Sequence, residues 1–159
     1  MNTRLDWYSA LPGAAQALLN VQAFINKSGL EHPLLELVKM RASQINGCAY
    51  CLDMHSKDAR AAGESEQRLY LLDAWHEATH LYSEREQAAL AWTETVTRLG
   101  EGHVPDDVYA KVRAQFSDAE LVVLTLAVTA INSWNRMNIA FRVAAGGYKP
   151  GMFKRAMGE

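Results

Sequence analysis

Two segments of the chain open with the same signal. Ser83-Glu84-Arg85-Glu86 and Ser117-Asp118-Ala119-Glu120 both fit the capping box, in which Ser and Glu side chains satisfy each other's unpaired helix-start N–H groups. Each stands ahead of a long run with apolar residues at helical spacing. The first run ends at Gly100 and Gly102, and the second extends to about Val143. Its middle is apolar nearly all round, which predicts burial on most sides. Other helix punctuation agrees. Pro12 suits a first helical turn, where its missing N–H costs nothing, and Ser28-Gly29 closes that segment. Pro33 opens a second helix with Leu34, Leu35, Val38, Ala42 and Ile45 on one stripe, stopped by Asn46-Gly47. A third helix runs from near Cys48 to Ala61-Ala62-Gly63. A fourth, from about Ser65, carries Leu69, Leu71, Leu72 and Trp75 and breaks near Thr79. Pro105 to Gln115 forms a short helix between the two capped ones. No stretch alternates apolar and polar long enough to be a half-buried strand. The expectation is an all-α, single-domain helical bundle of six to eight helices over 1–159, with a loose tail, or one used in a subunit contact, from about Gly146.

Length and charge narrow the function classes. At 159 residues with 49% hydrophobic side chains, one domain can bury a core without disulfide or metal staples. The formal net charge is -2, which offers no positive field for a phosphate backbone and disfavours nucleic acid as a partner. No run of 18 apolar residues exists, so no membrane span is expected. The first six residues lack a signal-peptide core, and the chain reads as cytoplasmic. Only two cysteines are present, and they sit three apart. That excludes a disulfide-rich secreted scaffold.

The cysteines carry the chemistry of interest. At about 100° per residue, Cys51 falls about 60° from Cys48 around the helix, and His55 about 20° from it. Ala59 and Ala62 continue the same face, while Asp53, Ser56, Lys57 and Arg60 take the opposite one. Cys51 and His55 form an i, i+4 pair. Both cysteines lie in a first helical turn, where the helix dipole stabilises a thiolate by roughly 0.3–1 kcal/mol. That effect and a protonated His55 both push a cysteine pKa below its free value of about 8.5. A purely structural bridge across so short a loop contributes only about 2 kcal/mol. A C-x-x-C pair in a reducing compartment is catalytic, metal-binding, or two unrelated buried cysteines. The metal reading adds His76 and His80, spaced H-x-x-x-H, but the gap from Cys51 to His76 exceeds the usual finger spacing. No metal or cofactor is expected, and the two histidines read as surface residues near Glu77. Haem attachment requires C-x-x-C-H, and Leu52 stands in the final place.

Glu36, followed by Ser43-Gln44-Ile45-Asn46-Gly47-Cys48-Ala49-Tyr50-Cys51-Leu52-Asp53-Met54-His55, resembles the alkylhydroperoxidase D-like branch of the carboxymuconolactone decarboxylase family. That family's motif has a Glu twelve residues before a C-x-x-C and a His four residues after its second Cys. The later Ile131-Asn132-Ser133-Trp134-Asn135-Arg136 resembles a segment of one subgroup. The resemblance implies an all-helical fold assembling as trimers or hexamers. It also implies a peroxidase or disulfide-reductase activity, with a hydroperoxide substrate and a dithiol or protein reductant. By position, Cys51 would be oxidised by peroxide and Cys48 would resolve it, with Glu36 and His55 as proton relay. Tyr50 departs from the best-known peroxidases, which carry a His there; a phenol with pKa near 10 is a poor base at neutral pH. Without the resemblance, Glu36 reads as a solvated side chain near Lys39. With it, another helix or subunit must cover the Glu36 face. Two further classes stay open: a thiol–disulfide reductase or redox sensor, and a non-enzymatic oligomeric binding module. Trp75, Trp92 and Trp134 are expected in the core or an interface, with Trp134 and Asn135 as candidates for the far wall of the site.

Overall fold

A computed structural model describes residues 2–100 and 102–153. Among them are eight α-helices and no strand: α1 (Trp7–Ala10), α2 (Pro12–Asn26), α3 (His32–Asn46), α4 (Ala49–Ala61), α5 (Glu66–Leu71), α6 (Glu84–Arg98), α7 (Asp106–Gln115) and α8 (Asp118–Phe141). The all-α expectation holds. Both capping boxes form as the sequence requires, Ser83 with Glu86 at the start of α6 and Ser117 with Glu120 at the start of α8. No single helix among the described residues is long and apolar enough to cross a membrane.

Two elements differ from expectation. The fourth helix breaks at Leu71 rather than near Thr79, giving way to 3₁₀ turns at Leu72–Ala74 and Thr79–Leu81. Leu69, Leu72 and Trp75 are all buried in one cluster with Leu37 and Leu90, and the tighter turn brings them to the same side. The short α1 carried no periodic signal. It is held by the Asp6 side chain, which accepts from the Ser9 N–H at 3.2 Å, and by burial of Trp7.

α3 is the central helix. Every residue from Leu34 to Ser43 is buried, so its polar side chains must find partners inside the protein. Arg41 donates to Glu94 on α6 at 2.8 Å and also reaches Asp73. Glu36 and Lys39 pair with each other. On one side of α3 the main core joins Leu35 and Val38 to Trp92, Leu124 and Val128. On another, Ala42 packs with Cys48, Cys51 and Ile131.

The joint between α3 and α4 is a single glycine. Gly47 sits at φ 69°, in the left-handed region that favours glycine. Its N–H donates to Gln44 O and the Cys48 N–H to Ser43 O at 3.0 Å, the paired bonds of a Schellman ending. Cys48 thus closes α3 and immediately caps α4. The segment after α8 is also fixed. Lys57 donates to Gly146 O and Tyr148 O, Gly146 N–H donates to Asp53, and the buried Tyr148 hydroxyl reaches Asp58 at 2.8 Å. The loose tail expected from about Gly146 is therefore strapped onto α4 as far as Tyr148, because that face of α4 is charged and accepts it.

Candidate active site

α3, α4 and α8 bring the site together. Cys48 is the N-cap residue of α4, and its sulfur accepts the Cys51 N–H at 3.4 Å. A sulfur here takes the place of the usual Ser or Asp oxygen and meets the positive end of the helix. Cys51 lies one turn in, wholly buried. Its sulfur accepts from Asn138 Nδ2 on α8 at 3.4 Å. Both cysteines are free thiols. The two sulfurs are electrostatically unequal. Hydrogen bonds from the Cys51 thiol and then from its N–H hold Cys48 below the ordinary thiol value, against burial. The same thiol–thiol bond, with burial and the charge on Cys48, pushes Cys51 up. The reduced pair therefore loses its first proton as a unit and rests the charge on Cys48. The sequence placed both cysteines together in the favourable first turn; only Cys48 receives that benefit.

Glu36 is 3% exposed, covered within the chain by α4. Its Oε1 accepts from Lys39 Nζ at 2.8 Å, and its Oε2 lies 2.9 Å from His55 Nδ1. Burial alone would raise this carboxyl, but the Lys39 ammonium and the His55 imidazole hold it well below the usual carboxylate range. An ionised Glu36 can only accept, so Nδ1 donates to it and the proton of a neutral His55 sits on Nδ1. The other ring nitrogen, Nε2, is then the basic one. The structure brings Glu36 and His55 together, as the family resemblance implied and Glu36's own helix did not. Lys39 pairs with Glu36 as its spacing suggested, but buried rather than solvated.

Tyr50 is not a base. Burial, and then the charge of Cys51, push its phenol above its ordinary value. It lines a cavity together with Tyr8 from α1. Tyr8, Trp7 and Trp134 form one aromatic cluster, with ring separations of 4.2 Å for Trp7–Tyr8, 5.8 Å for Trp7–Trp134 and 6.4 Å for Tyr8–Trp134. Trp75 and Trp92 are core residues, as expected.

A cavity of about 450 Å³ opens beside these groups. Glu36, Lys39, His55 and Asn138 form its polar wall, and Tyr8, Leu19, Tyr50, Met54, Trp134 and Phe153 much of the remainder. Asp58 also faces it; burial raises its carboxyl, while the Tyr148 hydroxyl donates to it. Trp134 lines the cavity as the sequence suggested. Asn135 is instead fully buried behind the cysteines, donating to Ser43 Oγ at 3.0 Å and accepting from Asn46. His76 and His80 lie apart from this site: His76 stacks on Trp75 and meets Glu94 at 3.5 Å. Among the described residues, no group of three or more His, Cys, Asp or Glu side chains is placed to hold a metal ion.

Sequence spacing missed Asn138 and Tyr8. For Asn138 a signal existed. Asn132, Asn135 and Asn138 recur every three residues on a helix otherwise read as apolar, which marks one polar stripe facing a common partner.

Comparisons with known proteins agree with this fold. The profile described as "Carboxymuconolactone decarboxylase family" matches residues 12–95. The uncharacterized protein YdfG of Bacillus subtilis (strain 168) is 41% identical over 140 residues, covering 88% of this chain and 95% of the relative. A crystal structure of ATU0492 from Agrobacterium tumefaciens, described as of unknown function and as a candidate antioxidant defence protein AhpD, superposes with a TM-score of 0.88. It is 43% identical, over 92% of this chain and 100% of that one. An uncharacterized peroxidase-related protein from Silicibacter sp. TM1040 shares the fold, with a TM-score of 0.72 at 20% identity, over 88% and 73% of the two chains. Motif, fold and matched profile converge: the chain belongs to the carboxymuconolactone decarboxylase family, in its alkylhydroperoxidase D-like branch.

Proposed function

We propose that the protein is a thiol-dependent peroxidase working through a Cys48/Cys51 dithiol–disulfide cycle. The observation that carries this reading is the Glu36–His55 contact at 2.9 Å. It places an oriented imidazole on the cavity wall, one helical turn from Cys51. Charge moves from Cys48 to Cys51 as the shared proton passes back. The Cys51 thiolate attacks the outer oxygen of a hydroperoxide. An S–O bond forms, the O–O bond breaks, sulfur is oxidised by two electrons, and the alkoxide takes the proton that His55 Nε2 accepted when the thiol pair ionised. Cys48 then attacks the sulfenic acid; the S–S bond forms and the oxygen leaves as water. An external dithiol returns the pair to thiols through a mixed disulfide.

The relay's value lies in that proton. Lowering a thiol pKa from about 8.5 to about 6 raises its thiolate fraction at pH 7 about 30-fold. Nucleophilicity falls with a slope of about 0.4–0.5, which takes back about tenfold. Positioned acid–base help contributes about 10²–10⁴. The mostly apolar and aromatic lining of the cavity supports an organic hydroperoxide with an apolar body as substrate. Complete burial of both sulfurs favours a small peroxide over a folded protein disulfide as oxidant. Assembly into trimers or hexamers belongs to the same proposal, and Leu11 and Phe24 supply exposed apolar side chains on or beside α2.

The test is stopped-flow oxidation of the reduced protein by hydrogen peroxide, tert-butyl hydroperoxide and cumene hydroperoxide, followed by mass mapping. The expected result is a Cys48–Cys51 disulfide formed fastest with cumene hydroperoxide. Turnover that survives Cys51→Ser would refute the cycle.

A further inference from the structure

The two sulfurs differ in what donates to them. Cys48 is served by the backbone of its own helix. Cys51 is served by a side chain from another helix, the Asn138 amide, at 3.4 Å. Asn138 is 3% exposed and stands on the cavity wall. Its stripe-mates use both ends of their amides. Asn135 donates to Ser43 and accepts from Asn46; Asn132 donates to Thr97 and accepts from Asn46 and Arg136. Asn138 does not. Its Oδ1 is buried and has no hydrogen-bond partner among the described residues. A buried carbonyl oxygen without a donor is uncommon and costs stability, so its retention at a reacting atom calls for an explanation.

We infer that the Asn138 carboxamide is a catalytic group that makes Cys51, rather than Cys48, the oxidised sulfur. The inference rests on the peroxidase reading above and adds a residue to it. An amide presents one donor edge and one acceptor edge. While Cys51 is the attacking thiolate, Nδ2 donates to the charged sulfur and draws the shared charge away from Cys48. Once the S–O bond has formed, the product is an S–OH group, which is itself a donor. The unpartnered Oδ1 then accepts that O–H, while Nδ2 stays on the sulfur. The empty acceptor in the reduced protein is thus filled in the sulfenic acid, a state stabilised by one more hydrogen bond than the thiol. The Cys48 sulfur is engaged instead by the Cys51 N–H of the helix cap. Asn138 holds the sulfenic acid in place until Cys48 attacks it.

The test uses full-length single-cysteine proteins, Cys48→Ser and Cys51→Ser, each with and without Asn138→Ala. Cumene hydroperoxide is the oxidant and dimedone traps the sulfenic acid, located by mass mapping. In Cys48→Ser, Asn138→Ala is expected to slow oxidation of Cys51 tenfold or more, the scale of a lost hydrogen bond to an ionised group. It should also shorten the sulfenic-acid lifetime by a similar factor. The loss in the Cys48→Ser background should exceed that in Cys51→Ser by at least tenfold. Equal losses in both backgrounds, or none, overturn the inference, because a merely structural residue would not distinguish the two sulfurs. Asn138→Asp, close to the native shape, keeps the acceptor edge but sets a carboxylate against the sulfur. It should raise the Cys51 pKa by at least one unit, and an unchanged pKa also overturns the inference. If Cys48→Ser with Asn138 intact forms no sulfenic acid at all, the peroxidase reading itself fails.

Discussion

Glu36→Gln separates what the buried ion pair does for stability from what it does for chemistry. Lys39 Nζ lies 2.8 Å from Glu36 Oε1, and both side chains are nearly fully buried. At an effective dielectric of about 20, charges at that distance attract by about 6 kcal/mol. Desolvation consumes much of this, and removing one partner of such a pair costs about 3–5 kcal/mol because the other charge is stranded. For a protein of this size each kcal/mol moves Tm by about 2–4 °C. Glu36→Gln should therefore lower Tm by about 6–20 °C. Adding Lys39→Met removes the stranded ammonium, and replacing a buried pair with neutral groups is often close to neutral. The double variant should recover to within about 4 °C of the parent by calorimetry. Its peroxidase turnover should nonetheless stay down by about 10²-fold or more, because His55 still lacks a carboxylate. The pair also imposes a pH dependence. The Glu36 carboxyl is depressed in the folded state. Its stabilisation is complete above the unfolded value of about 4.3 and is lost as pH falls below that toward the folded value. The double variant should lack this acid-side loss. Recovery of turnover together with Tm would refute the relay role of Glu36 and leave it a structural ion pair.

Three further outcomes follow from the same geometry. His55→Ala should lose about 10²–10⁴ in rate even at a pH where the attacking thiol is fully ionised in both proteins; a pH titration in which rate simply tracks thiolate fraction would count against proton delivery. Tyr50→Phe should cost less than about tenfold, the scale of one neutral hydrogen bond, because burial holds its phenol above the ordinary range and out of a base role; a larger loss at neutral pH would mark Tyr50 as part of the proton path. Tyr148→Phe removes the donor to the Asp58 carboxylate; hydrogen exchange should accelerate over residues 146–153 while α3 stays protected, and a uniform change across the chain would contradict a local strap.

The sequence was most legible where punctuation is local. Both capping boxes, Pro12 at the start of α2 and Gly47 at the end of α3 act within a few residues, and all appear as expected. The break at Leu71 was less legible because it serves the packing of Trp75 against Leu37 and Leu90, residues distant in sequence. The helix from Ser117 was read as buried on most sides, yet Val122 and Ile139 are exposed, since an apolar residue on a helix says nothing by itself about which neighbours arrive. In the site, helical arithmetic put Cys48, Cys51 and His55 on one face. It could not rank the two thiols, because the ranking depends on which sulfur the helix start engages and on an amide contributed by α8. Glu36 reads as solvated from its own helix alone; only the arrival of α4 buries it.

Cys48 closes one helix, opens the next and belongs to the redox pair. Its sulfur can accept the Cys51 N–H fully only while it carries charge. Once bonded to the other sulfur it is neutral, and the first turn of α4 loses its anionic cap at the moment of oxidation. On the proposed cycle, turnover would be coupled to secondary structure, the oxidised protein having a slacker α4 start than the reduced one. Tyr50 sits in that turn and lines the cavity with Tyr8 and Trp134, so the slackening would reach the aromatic cluster over the site. That cluster lines the cavity by which an incoming dithiol would approach the buried pair under the proposed cycle. The Cys51 amide is the place to watch the slackening, protected in the reduced protein and exchanging faster after peroxide.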